Sequence, residues 1–267
     1  MKIHWLSQVI CFGLCILSVT TVQAESLVVP PPENHWALMP VLSLQQLNGV
    51  ENGYETDFIL SNLSSNKTQW SIELGYLSRY SETAGFVIAS DVWSMDAQHA
   101  LVFGVGVATA QSISWLQQLS LDYYLPSLWH SESMMTYGLK TYSDLLSQSI
   151  SYMAELPISN QVTLAAKLGA SFSAGSLMNT IDPMLSLSAR YQLGTEAYLK
   201  PYYAHGSESD EVLGATPGVE SFSSNYFGVT VFWSPENFCP FWLTAEYENR
   251  SNGSWASELI FQNRLYW

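Results

Sequence analysis

Basic residues are scarce in this chain. Nine Lys and Arg stand against 23 Asp and Glu, for a formal net charge of −14. Phosphate recognition needs clustered Lys and Arg, so nucleic acid is excluded as a partner. Charge of either sign is sparse at 12 %, roughly half the usual share. Cysteine is rarer still. Cys11 and Cys15 lie in an amino-terminal apolar run, and only Cys239 lies beyond it. Once that run is removed, no internal disulfide can form, which excludes a disulfide-stapled secreted domain. Cys239, between Phe238 and Pro240, reads as a small turn residue. Long apolar stretches are also missing, so no later segment suits a membrane-spanning helix. His35, His99, His130 and His205 lack zinc-ligand spacing. No glycine-rich phosphate loop or nucleotide motif occurs, so neither a cofactor nor a metal is expected.

What is present begins with a targeting signal. Lys2 supplies a positive start, Val9 to Val19 is apolar, and Val22-Gln23-Ala24 offers small residues before Glu25. This pattern predicts a signal peptide over residues 1–24, cleaved after Ala24. Leu14 before Cys15 and Ile10 before Cys11 do not suit lipid attachment. Residues 25–40, with Pro30, Pro31, Pro32 and Pro40, are expected to form an extended periplasmic lead-in, because proline cannot donate to a ladder. Residues 41–267 are expected to form one barrel domain.

Within that domain, apolar and polar residues alternate with period two, the signature of strands. Leu101, Phe103, Val105 and Val107 alternate with Val102, Gly104, Gly106 and Ala108. Leu259, Phe261, Asn263, Leu265 and Trp267 alternate with Glu258, Ile260, Gln262, Arg264 and Tyr266. Aromatics at 13 % gather near the segment ends, as in Tyr76, Tyr80, Trp115, Tyr123, Tyr124, Trp233, Phe238, Phe241 and Trp267. Segments of about 9 to 13 residues suit tilted membrane strands, and aromatic ends suit interface girdles. Connections alternate between tight (Leu156 to Gln161, Leu193 to Glu196, Ser234 to Phe238) and long (Ala204 to Phe222). Together these features predict an all-β antiparallel transmembrane barrel. Its strands begin near Val41, Tyr54, Gln69, Phe86, Ala100, Ser114, Met134, Ser147, Gln161, Met184, Thr195, Asn225, Phe238 and Ser257. That makes about 14 strands, or 12 if the first two are discounted. An even number returns both ends to the periplasm.

From about Trp70 onward the chain resembles the YaiO-like outer-membrane β-barrels. The stretches Pro183-Met-Leu-Ser-Leu-Ser-Ala-Arg-Tyr191, Ala197-Tyr-Leu-Lys-Pro-Tyr-Tyr203 and Ser207-Glu-Ser-Asp-Glu211 carry the resemblance. It implies a one-domain barrel in the outer membrane of a Gram-negative bacterium, and it carries over no catalytic residue. Trp267 stands where such barrels more often close on Phe. The last strand is expected to engage the barrel-assembly machinery, and the outward face to meet lipid and lipopolysaccharide.

Alternation assigns Lys140, Lys167, Arg190, Lys200 and Arg264, with Glu73, Asp122, Glu155, Glu246 and Glu258, to the lumen. A Lys or Arg facing lipid at mid-membrane would cost about 2–4 kcal/mol. These charges read either as an ion-pair network filling the lumen or as the lining of a small-solute pore. The first expectation is therefore a non-enzymatic barrel, structural or porin-like. Two further readings stay open. His205 and Ser207, with Glu220 as orienting acid, have the composition of a hydrolase site acting on lipid A or lipopolysaccharide. The acidic segment 204–222 reads as a surface binding loop. Its run from Ser207 to Glu211 lacks the glycine and spacing of a calcium loop. The Asn-x-Ser/Thr sites at Asn62, Asn66, Asn249 and Asn252 read as polar turns.

Overall fold

The computed structural model describes residues 35–47, 52–63, 68–79, 82–94, 99–109, 117–126, 132–141, 145–175, 179–209, 221–234, 239–251, 253 and 255–266. The expected signal peptide, residues 25–34, Trp115, Glu220 and Trp267 lie outside them. Long alternating segments become strands because each can bury one face and leave the other apolar. They are β1 (His35–Leu47), β2 (Gly53–Leu63), β3 (Thr68–Arg79), β4 (Glu82–Ser94), β5 (Ala100–Ala108), β6 (Gln117–Pro126) and β7 (Glu132–Thr141). The series continues with β8 (Leu145–Pro157), β9 (Val162–Gly175), β10 (Asn179–Gln192), β11 (Ala197–Ser209), β12 (Ser221–Trp233), β13 (Phe241–Arg250) and β14 (Trp255–Asn263). A two-residue β15 (Leu265–Tyr266) continues β14 against β1.

Each strand pairs antiparallel with its chain neighbour, and β14 returns to β1, closing the sheet. The result is a closed antiparallel barrel of 14 strands with β15 as a continuation, so the alternative of 12 falls away. Tracing the pairing once round the sheet from Val41 returns to β1 displaced by 14 residues. Equal strand number and shear imply strands tilted by about 35° and a backbone diameter of about 25 Å.

Two expected boundaries are corrected. The lead-in ends sooner than residue 40, because β1 already begins at His35 and Pro40 pairs with Phe58 of β2. The ladder from β1 to the last strand skips Met39 and Pro40, between Leu38↔Leu265 and Val41↔Gln262. A missing N–H is thus accommodated at the seam and not towards β2. The segment 204–222 is strand at both its ends, since β11 runs to Ser209 and β12 starts at Ser221, while 210–220 lie outside the described residues.

The outward face is apolar and exposed, with Leu74, Val105, Ile150, Leu168, Leu187, Phe227 and Leu259 all above the exposure of a core residue. The inward face buries polar side chains, including Asp57, Asp122, Glu248 and Gln262. This inversion is what a barrel with lipid outside requires. Among the described residues one outward side chain, Asp91, is charged. It lies opposite Trp70 and two residues from Trp93, towards the end that carries both termini. Asn263, the polar residue on the outward face of the last strand, donates from Nδ2 to the Cys239 carbonyl at 3.3 Å. Cys239 has φ 44° in the turn before β13, consistent with a turn role. Tyr124 turns its hydroxyl into the interior, while Tyr123 faces out and stacks on His99.

Candidate functional site

The lumen has two unlike walls. One runs through β12, β13, β14, β1 and β2 and is densely packed. Near the termini end, Met39, Val41, Ile59, Tyr198, Phe232, Trp242 and Ile260 form a single buried apolar cluster. Phe232 lies between Tyr198 at 4.8 Å and Trp242 at 5.1 Å. Trp242 Nε1 donates to the Tyr198 hydroxyl at 3.2 Å, and the Arg264 guanidinium lies 5.6 Å from the Trp242 ring. Above this cluster the wall turns polar. Thr230 and Thr244 share a hydrogen bond of 2.9 Å. Ser43 and Gln45 of β1 both donate to Glu258 of β14. Tyr202 donates to Glu246. Glu248 accepts from Ser224 at 2.7 Å and from Arg250 through two bonds of 2.7 Å. Each buried carboxylate named here therefore has hydroxyl, amide or guanidinium partners, as burial of a charge demands.

Two glycines let aromatic rings lie flat on the inner surface, one at the edge of this wall and one on β3. A Cβ on Gly228 would stand 2.1 Å from the Tyr202 ring, and one on Gly75 would stand 2.0 Å from the Phe86 ring. Both are cross-strand pairs, so each ring covers bare backbone on its neighbour.

The other wall, β7 to β10, is built from small residues. Its inward positions include Gly138, Ser149, Ser151, Ala165, Gly169, Ser171, Ser186 and Ser188. On β9 every inward position from Thr163 to Ser171 is partly exposed, so solvent follows that strand from near one barrel end to near the other. Small side chains cannot reach the opposite wall across a barrel of this diameter, so the lumen is less filled beside β9 than beside the packed wall. Met134, Ser147, Ser151 and Asp182 are the buried inward exceptions on this side.

All ten charges assigned to the lumen lie on inward positions, but they divide by burial. Asp122, Glu246, Glu258 and Arg264 are buried. Glu73, Lys140, Glu155, Lys167, Arg190 and Lys200 are partly exposed. Arg190 and Glu155 form an ion pair of 4.0 Å, and the Arg190 guanidinium also lies over Tyr198. Lys140 is in electrostatic reach of Glu55 and Glu73 across the lumen, Lys167 of Asp122, and Lys200 of Glu155 and Arg190. Sequence reading missed the inward charges Glu55, Asp57, Asp182 and Glu248. Their parity gives them away once strand bounds are known, but β2 carries apolar residues on both faces, Tyr54, Phe58 and Leu60 outward and Ile59 inward, which blurs its alternation. Among the described residues no group of three or more His, Cys, Asp or Glu is arranged to hold a metal ion.

His205 and Ser207 lie on β11, in a strand and not beside a turn. His205 is exposed on the outward face. Its Nδ1 lies 3.0 Å from Asn225 Oδ1, which also accepts from the Tyr203 hydroxyl at 2.8 Å. A neutral amide thus occupies the place an orienting acid would need. The side chain of Ser207 and all of Glu220 lie outside the described residues.

No protein-family model matches this chain, and no curated protein matches its sequence. Its fold is nevertheless that of bacterial outer-membrane barrels. It is similar to a bacterial polysaccharide outer membrane secretin, with TM-score 0.56 and 9 % identity over 86 % of this chain and 98 % of that one. It is also similar to the outer-membrane expressed OmpT of Vibrio cholerae, with TM-score 0.51 and 8 % identity over 90 % of this chain and 100 % of that one. At such identities the likeness concerns the fold alone.

Proposed function

We propose that this chain is a non-enzymatic barrel of the Gram-negative outer membrane that passes small solutes along β9. The uninterrupted partly exposed track from Thr163 to Ser171 carries this reading. A lumen filled throughout by ion pairs would have buried that track as thoroughly as Ser43 or Thr244 on the opposite wall. The apolar outward belt supports residence in lipid, with lipopolysaccharide around the far end. The closed seam between β14 and β1 supports delivery by the barrel-assembly machinery through the last strand. The YaiO-like resemblance fits the same one-domain architecture.

The test is reconstitution of the refolded protein in planar bilayers. Discrete current steps are expected at modest voltage. Absence of current at every voltage, in protein whose gel mobility is heat-modifiable, overturns the passage.

A further inference from the structure

We propose that the passage prefers small anions, although the chain as a whole is strongly acidic. The inference rests on the passage itself and adds its selectivity. What matters to a permeating ion is the charge that solvent reaches, not the total charge of the lumen. Seven inward acids, Glu55, Asp57, Asp122, Asp182, Glu246, Glu248 and Glu258, are at most 7 % exposed. On the packed wall Glu246, Glu248 and Glu258 are held by hydroxyl, amide and guanidinium donors, while Glu55 and Asp122 lie in electrostatic reach of Lys140 and Lys167. Among the described residues of the less packed side, solvent instead reaches Lys140, Lys167, Lys200 and Arg190, against Glu73 and Glu155. Glu155 is engaged by Arg190, and Glu73 faces Lys140.

The four cations also stand in sequence along the passage. Lys140 is the penultimate residue of β7 at the far end, and Lys167 lies near the middle of β9. Lys200 and Arg190 lie close to the turn joining β10 and β11, at the termini end. An anion entering from either side therefore meets a cationic side chain at each level of a low-dielectric bore. Such an arrangement focuses the field and raises the local concentration of counter-ions. The compact ammonium groups of Lys167 and Lys200 suit hydrated chloride, phosphate or small carboxylates, held weakly enough to leave.

The test is the reversal potential of the reconstituted protein in asymmetric KCl. Chloride permeability is expected to exceed that of potassium several-fold. Lys167→Glu combined with Lys200→Glu is expected to bring the ratio to unity or invert it. Lys167→Gln with Lys200→Gln serves if the charge reversals do not give a heat-modifiable barrel, and it is expected to lower the ratio by a smaller factor. Glu246→Gln also changes the lumen's total charge, but it lies in the packed wall and is expected to leave the ratio unchanged. Equal or cation-favouring permeability in the wild-type protein overturns the anion preference while the passage stands. An unaltered ratio in both lysine variants overturns the assignment equally. Absence of any current overturns the passage and the preference with it.

Discussion

The two walls of the lumen are built from the same alternating pattern, yet they do opposite things. From β12 round to β2, inward side chains are large or hydrogen-bonded in pairs, and they exclude water. From β7 to β10, more than half of the inward side chains are Ser, Gly, Ala or Thr, with Met134, Met153 and Met184 and the long cations between them. One half of the barrel supplies the core that a barrel of 14 strands lacks if its bore is simply hollow. The other half keeps the bore. On the proposed function, stability and permeation fall to different strands, and substitutions should separate them.

The largest effect is expected in the packed wall. Trp242→Ala removes the ring that touches Phe232, Tyr198 and Arg264. A loss of about 3–5 kcal/mol is expected, read as a lower urea midpoint by tryptophan fluorescence of the refolded barrel. A midpoint within error of the wild type would mean the cluster carries no stability. Next is Gly228→Ala, whose Cβ would displace the Tyr202 ring from its neighbour and from Glu246. Overpacking of this kind costs about 1–3 kcal/mol, and a smaller urea shift in the same assay checks it. Glycine is required here by close approach, not by backbone angle.

The open wall should respond in the opposite way. Ala165→Trp places a bulky ring in the β9 track and is expected to lower single-channel conductance several-fold. Its cost in stability should stay within about 1 kcal/mol, because the ring enters a wet space and displaces no packed neighbour. Unchanged conductance would move the passage away from β9. The smallest effect is expected outside both walls. His205→Ala and Ser207→Ala should leave lipid A mass unchanged relative to the wild type, with stability within about 0.5 kcal/mol. A wild-type change in lipid A that either variant abolishes would restore the hydrolase reading.

Much of this was legible in the chain. Period-two alternation predicts the strand number and puts the ten named charges on the inner face, because the pleat leaves each residue only two directions. The ends of elements were less legible. Pro30 to Pro32 and Pro40 suggest a lead-in through residue 40, but a single proline facing the seam loses only one ladder bond. His205-Gly206-Ser207 looks like the rim of a loop from composition. On β11 it continues the register set by Lys200 and Tyr202 against β12. The division into two walls was not legible, because it depends on which inward residues meet across the bore. That follows from tilt and closure, which no local pattern encodes.

The seam has a consequence for the size of the bore. Diameter in a barrel of fixed strand number depends on stagger, and stagger is decided when β14 joins β1. Sliding β14 by one residue would turn Glu258 into lipid. Sliding it by two would keep the faces but carry Glu258 away from Ser43 and Gln45, leaving a buried carboxylate without those donors. Three side chains at the joint between the two ends of the sheet therefore act as a gauge. They make one circumference cheaper than its neighbours, and so calibrate the width of the lumen on the far side of the barrel.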